Sequence, residues 1–255
     1  MTAWATTALV ALVGAVIGSF LNVCIHRLPR DQSVVRPASA CPACGRRLAW
    51  HDNVPLLSYL FLRGRCRSCR APISVRYPIV EALTAAMFAA AWWHFGPGLL
   101  LVARLLFGSA LIALFAIDLE HYLLPNAITL PGILVGFGFS FVTEPGWASS
   151  LAGIVIGGGS LYALARTYYL LRREEGLGMG DVKMLAMIGA FLGWQLTIMA
   201  LLMASLAGSI IGLAIVATRR GGMKHALPFG TFLAVGAVLA VISGSSLLDW
   251  YVSLW

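Results

Sequence analysis

Two aspartates in this 255-residue chain stand at the ends of strongly apolar runs: Asp118, in Ala116-Ile117-Asp118-Leu119-Glu120, and Asp181, in Gly178-Met179-Gly180-Asp181-Val182-Lys183. A carboxylate beside hydrocarbon is expensive to keep, so each is a functional candidate. Taken alone, Asp118 reads equally well as a cap or an interfacial charge near a helix end. Taken together, two carboxyls that meet cannot both ionise cheaply; one keeps a proton while the other acts as a base. The ionised member can then deprotonate a water while the protonated one polarises a carbonyl. That is the chemistry of amide hydrolysis with no covalent intermediate. Gly178 and Gly180 allow backbone torsions and close substrate approach closed to other residues, and Lys183 completes the segment as a supporting residue. The spacing Gly176-x-Gly178-x-Gly180 is not that of a nucleotide loop. No Ser, His and Asp set stands out for a serine hydrolase.

A second constellation is Cys41-Pro42-Ala43-Cys44 with Cys66-Arg67-Ser68-Cys69, two C-x2-C pairs separated by twenty-one residues. Four thiolates at this spacing suit a tetrahedral structural zinc site, closed to catalysis. A pair of disulfides is the plain alternative, and a reducing compartment argues against it. Cys24 lies inside an apolar run and reads as a packing residue.

These groups are positioned by a chain that is 60% hydrophobic and 11% charged, where soluble domains carry about 25% charge. Eight apolar runs approach bilayer-spanning length, at 4–25, 77–95, 98–117, 126–143, 148–171, 182–194, 196–218 and 226–248. They do not alternate as barrel strands do, so the expected fold is an all-α polytopic membrane protein of about eight transmembrane helices. The first run reads as a retained anchor. The sixth is short. Expected organisation is a first transmembrane helix over 1–26, a cysteine-rich zinc subdomain over 27–77, and a seven-span membrane domain over 78–255. A hydrophobic core alone is marginal for a loop of that size, so a staple is expected there. Glu81, at the start of the second run, reads as structural, paired with a nearby arginine, and Ser19 and Asn22 as hydrogen-bonding between helices.

Net charge is +8, and ten of the eighteen Lys and Arg lie between Arg27 and Arg76, against only Asp31 and Asp52. By the positive-inside rule this loop is cytoplasmic. Alternating the spans brings Arg166, Arg172, Arg173, Lys183, Arg219, Arg220 and Lys224 to that face, with Arg104 the exception and both termini on the far side. Asp118 and Asp181 then reach the same, cytoplasmic, membrane depth. Topology accounts for the basic charge without nucleic acid; the loop's arginines suit anionic lipid headgroups instead.

The motifs resemble those of the bacterial type IV prepilin leader peptidases, membrane aspartic proteases of the GxGD type. Gly18-Ser-Phe-Leu-Asn-Val-Cys-Ile-His-Arg-Leu-Pro29 is similar to the family's N-terminal block. Cys41 to Cys69, with Pro72-Ile-Ser-Val-Arg-Tyr-Pro78 and Glu81, is similar to its cysteine-rich domain. Asp118-Leu-Glu-His-Tyr-Leu-Leu-Pro125 and Gly178-Met-Gly-Asp-Val-Lys183 resemble its two catalytic blocks, and Pro228-Phe-Gly230 a C-terminal signature. The resemblance spans nearly the whole chain. It implies cleavage of the basic leader of prepilins or pseudopilins on the cytoplasmic side of the bacterial inner membrane, after a glycine, with Asp118 and Asp181 as the catalytic pair. Many members also methylate the new N-terminus with S-adenosylmethionine, a step in which the cysteine loop is implicated; no donor-binding fingerprint stands in the sequence. Glu120, Glu174 and Glu175 are the acidic residues placed to meet a basic leader. Two other readings use intramembrane carboxylates. Presenilin-like proteases lack the cysteine-rich loop. A proton-coupled transporter would hold its carboxylates near mid-bilayer, often in repeated halves, and no repeat is visible here.

Overall fold

The computed structural model describes residues 3–174, 176–218 and 227–253. Glu175, Arg219, Arg220 and Lys224 lie outside them. Among the described residues the regular elements are helices: α1 Ala3–Arg27, α2 Leu57–Phe61, α3 Arg76–Phe95, α4 Leu99–His121, α5 Asn126–Phe139, α6 Trp147–Arg172, α7 Met179–Thr218 and α8 Phe229–Val252, with short 3-10 turns at Leu28–Arg30 and Trp50–Asn53. Among the described residues, four stretches are long and apolar enough to cross a bilayer: Trp4–Arg30, Leu99–His121, Trp147–Arg172 and Met179–Ile215. Asn126–Phe139 and Phe229–Gly244 are shorter apolar helices. The protein is an all-helical, multi-pass membrane protein; these helices do not by themselves establish a count of eight spans. The chain divides into two compact units, Met1–Ala113 and Leu114–Trp255.

In the first unit α1 packs on α3 through small residues. A Cβ added at Gly14 would meet Phe88 and Ala85, and one at Gly18 would lie 2.7 Å from the Cα of Glu81. Close backbone approach of this kind drives helix association where lipid is as apolar as the side chains. Polar groups lock the register. Asn22 Nδ2 donates to the carbonyl oxygens of Gly18 at 3.3 Å and Tyr77 at 3.0 Å. Glu81, 8% exposed, accepts the Leu56 N–H at 2.8 Å and a hydrogen bond from the Ser19 hydroxyl. Proline at position 29 cannot continue the α1 ladder, and the chain leaves through a 3-10 turn closed by Asp31 in the left-handed region. α3 stops at Gly96, whose φ of 65° suits a glycine C-cap, with its N–H on the Trp92 carbonyl.

In the second unit α7 is forty residues long, about 60 Å if straight and twice the hydrocarbon thickness. It is not straight. Gly193 adopts φ 76°, ψ 174°, and the chain doubles back there. The Leu185 carbonyl oxygen and Thr197 Cγ2 each lie 2.9 Å from where a Cβ on Gly157 would sit; a continuous helix would hold these residues about 18 Å apart. The boundary expected between runs 182–194 and 196–218 is therefore this glycine turn. The first arm of α7 runs antiparallel to α6, where Gly153 and Gly189 meet backbone to backbone and the Ser150 hydroxyl donates to the Ala190 carbonyl at 2.7 Å. α5 lies along the same arm, Gly132 against Met187 and Gly136 against Phe191. α8 runs antiparallel to the second arm, Phe232 beside Gly208 and Gly236 against Ala200 and Ala204.

Candidate functional site

The second unit gathers the C-terminal end of α4 and the N-termini of α5, α7 and α8 at one end. Asp118 lies one turn before the end of α4 and is 5% exposed. Asp181 sits in the first turn of α7. The two residues, sixty-three apart in the chain, converge on one side chain, Leu124, which packs against Gly230 beside Asp118 Oδ2 and against Gly180 next to Asp181.

Asp118 is held by α8. The Thr231 backbone N–H donates to its Oδ2 at 2.7 Å, and the Thr231 hydroxyl donates to the same oxygen at 3.1 Å. The first N–H groups of a helix have no partner within it. Asp118 therefore caps α8 from another helix, as an N-cap residue does for its own. Helix N-termini also favour negative charge. Both lone-pair directions of Oδ2 are taken, so a proton on this carboxyl belongs on Oδ1.

Glycine is required around this pair for space. A Cβ at position 230 would lie 3.0 Å from Asp118 Oδ2 and 2.9 Å from Leu124 Cδ1; one at 180 would lie 2.9 Å from Leu124 Cβ. Leu124, in the link between α4 and α5, is thus wedged between the starts of α7 and α8. The Gly178 backbone crosses the Asp181 carboxyl, with Oδ2 3.4 Å from the position of its missing Cβ. Lys183 Nζ donates to Asn126 Oδ1 at 2.8 Å, tying the starts of α7 and α5. Of the acidic residues expected to meet a basic leader, Glu120 lies one position past Leu119 on α4 and Glu174 follows α6; both are exposed.

Thr231 and Asn126 lie outside the sequence blocks quoted above, and Leu124 stands inside one of them with no role of its own there. The Pro228-Phe229-Gly230 signature ends one residue short of Thr231. A hydroxyl following a glycine at the start of an apolar helix was the available signal.

The cysteines converge in the first unit. Each pair forms the same turn. Cys41 N–H donates to the Arg46 carbonyl and Gly45 N–H to Cys41; Cys66 N–H donates to Ala71 and Arg70 N–H to Cys66. The residue after the second cysteine is left-handed in both, Gly45 at φ 70° and Arg70 at φ 61°. One isolated bridge closes each turn, Ala40 with Arg47 and Arg65 with Pro72. All four sulfurs lie within 4.8 Å of one another, and Cys41 Sγ and Cys69 Sγ are 3.8 Å apart. That is about the edge of a tetrahedron with 2.3 Å metal–sulfur bonds. Backbone N–H groups of Cys69 and Ser68 hold the Cys66 thiol down to about 6, toward the metal-binding thiolate. The cluster is able to hold one metal ion. Asp52 fixes the second turn by a bidentate pair with Arg67, Nη2 to Oδ1 at 2.6 Å and Nε to Oδ2 at 3.1 Å.

Beside the first turn lies a cleft of about 480 Å³ lined by His26, Arg27, Gln32, Ser33, Arg36 and Cys41, among others. Its lining carries no carboxylate to face a sulfonium, and the Arg27 guanidinium is engaged by the Ser33 and Pro37 carbonyls. It does not fit an S-adenosylmethionine pocket.

Residues 12–95 match the bacterial peptidase A24 N-terminal domain, and residues 105–213 match the type IV leader peptidase family. The chain is 39% identical to a prepilin leader peptidase/N-methyltransferase of Aeromonas hydrophila, over 98% of this chain and 95% of the relative. It is 36% identical to one of Pseudomonas aeruginosa, over 94% and 91%. It is 45% identical to one of Myxococcus xanthus, over 84% of this chain and 64% of the relative's length. No solved structure matches.

Proposed function

The chain belongs to the type IV leader peptidase family, and from that premise we propose that it is a membrane aspartic endopeptidase that removes the leader peptide of prepilins or pseudopilins, with Asp118 and Asp181 as its catalytic pair. The observation that carries the reading is the convergence of the two aspartate-bearing helix ends on Leu124, with Asp118 Oδ2 fixed by two donors from Thr231.

In the proposed reaction Asp118, through Oδ1, accepts a proton from a water whose oxygen attacks the scissile carbonyl carbon. Asp181 carries the shared proton and donates it toward the carbonyl oxygen. Collapse of the tetrahedral intermediate breaks the C–N bond, and the proton held by the pair passes to the leaving amine. Gly180 gives Leu124 room to pack against the start of α7 and Gly178 leaves the Asp181 carboxyl uncrowded, so that glycine serves close packing here rather than unusual torsions, while Lys183 and Asn126 hold the two helix starts in register. Glu120 and Glu174 give a basic leader acidic partners. Arginine density on the 27–76 loop supports a cytoplasmic placement of that loop by the positive-inside rule, and the proposed cleavage is taken to occur on the cytoplasmic face of the inner membrane.

The four cysteines are proposed to hold one structural zinc, which supplies folding energy and no step of hydrolysis. N-methylation of the newly exposed amine is a second activity carried by the names of the relatives; the cleft beside Cys41 does not support a donor site there, and no step is drawn through it. The test is to incubate the purified protein with a prepilin, with and without S-adenosylmethionine, and weigh the products. Loss of the leader mass supports peptidase action, and a further methyl mass only with the donor supports the second activity. Proton uptake into liposomes without processing would favour a transporter instead.

A further inference from the structure

Within the 27–77 loop, the segment from Trp50 to Phe61 does not look like part of a water-soluble domain. Leu57, Leu60 and Phe61 share one face of α2 at i, i+3 and i+4, and they are 52%, 70% and 83% exposed; Trp50 is 83% exposed. Large apolar groups grouped in this way on a surface mark a partner or a membrane.

The depth of the segment says which. Its tether is the Leu56 N–H, bonded to the buried Glu81 carboxylate, which also engages Ser19 of α1. Gly18 packs against the Glu81 Cα. Ser19 lies eight residues before Arg27, the basic end of a helix that is itself long and apolar enough to span a bilayer. At 1.5 Å per residue, Leu56 is anchored on the order of 10 Å inside that basic end. The backbone is forced to turn there. Leu56 has φ 60°, ψ −49°, and the Leu57 N–H closes on the Pro55 carbonyl at 2.6 Å, a rare and strained γ-turn. The polar residues flank the apolar ones as an interfacial element requires. Asp52 and Arg67 pair near Trp50, and Arg63 and Arg65 follow Phe61, exposed.

We propose that the Trp50–Phe61 segment is seated in the bilayer that α1 crosses, with Leu57, Leu60 and Phe61 among acyl chains of the anionic leaflet. Trp50 lies at headgroup level, and Arg63 and Arg65 reach lipid phosphates. The Glu81–Leu56 bond is the pin that draws the loop down, and it fixes the cysteine turns against the membrane surface. This does not rest on the proposed cleavage reaction.

The experiment uses the full chain in phosphatidylcholine–phosphatidylglycerol nanodiscs. Trp50 emission is isolated as the difference between the natural protein and Trp50→Phe. Phe61→Trp in the Trp50→Phe background provides a second, deeper reporter. Acyl-brominated lipid is expected to remove most of both signals, with the position-61 reporter quenched more by deeper bromines, and aqueous iodide to remove little. Quenching by iodide and not by bromine overturns the proposal. So does protection from both, which would mean that protein covers the face. Iodide access that is lost only when a prepilin is added would make it a substrate surface instead. If Trp50→Phe fails to accumulate, hydrogen exchange of 50–61 in the natural protein decides: slow in nanodiscs is expected, and exchange as fast as an open loop overturns the proposal.

Discussion

Thr231 gives both of its donors, the backbone N–H and the side-chain hydroxyl, to a single oxygen of Asp118 across 113 residues of chain. The pairing makes α8 part of the proposed reaction centre although it carries neither carboxyl. A hydrogen bond to a charged acceptor contributes about 1.5–3 kcal/mol. Thr231→Val keeps the N–H and removes the hydroxyl, so it is expected to lower kcat for prepilin cleavage about 10- to 100-fold with KM little changed. Thr231→Ser is expected to restore most of the loss. Steady-state kinetics on both variants check this; equal damage by Ser and Val would reduce Thr231 to a packing residue.

Gly230 is small because of what surrounds it. A Cβ there would press on Asp118 Oδ2 at 3.0 Å and on Leu124 Cδ1 at 2.9 Å. Gly230→Ala is expected to cut cleavage at least about tenfold, since misplacing a reacting group by even an ångström is costly. Adding Leu124→Ala removes one clash and leaves the carboxylate displaced, so the double variant should stay slow. Full recovery on that background would show that the leucine alone was in the way.

How much of this site could be read from sequence differs residue by residue, for physical reasons. Asp118 and Asp181 declare themselves because a carboxyl beside hydrocarbon has few uses. Thr231 does not, because a hydroxyl in an apolar helix is cheap and common, and its partner is 113 residues away. The all-helical membrane fold follows from apolar runs too long for anything else. Counting spans is harder, because α5 and the described apolar part of α8 are short and the sixth and seventh runs form one element bent at Gly193. The thiols' convergence was legible from spacing. The exposed Leu57, Leu60 and Phe61 were not, since apolar side chains scattered through a basic loop carry no mark of burial or exposure until the fold is known.

The turn at Gly193 makes its own prediction. Its φ of 76° is open to glycine and strained for other residues, and a Cβ would also meet Ser149 Oγ and Pro145. Gly193→Ala is expected to destabilise the second unit by about 2 kcal/mol or more. The check is thermal unfolding in detergent, where a midpoint unchanged from the natural protein would contradict the turn.

The cysteine cluster should behave as a single ligand set. Metal analysis of purified protein is expected to give about one zinc per chain, in keeping with a four-thiolate site. Changing any one of Cys41, Cys44, Cys66 or Cys69 to Ser should lower both zinc content and abundance. Because the cluster is not part of the hydrolytic pair, protein that still accumulates should keep cutting prepilin. Stoichiometric zinc in a Cys41→Ser, Cys66→Ser double variant would remove the site.

The account as a whole rests on Asp118 and Asp181 acting on one amide. The direct measurement is cleavage of a prepilin by purified full-length Asp118→Asn and Asp181→Asn proteins, followed by intact mass. Each substitution keeps the side-chain shape and removes the acid. The account predicts uncut substrate with either variant, at equal membrane abundance and with zinc retained; a leader released at the natural rate by either one would contradict it.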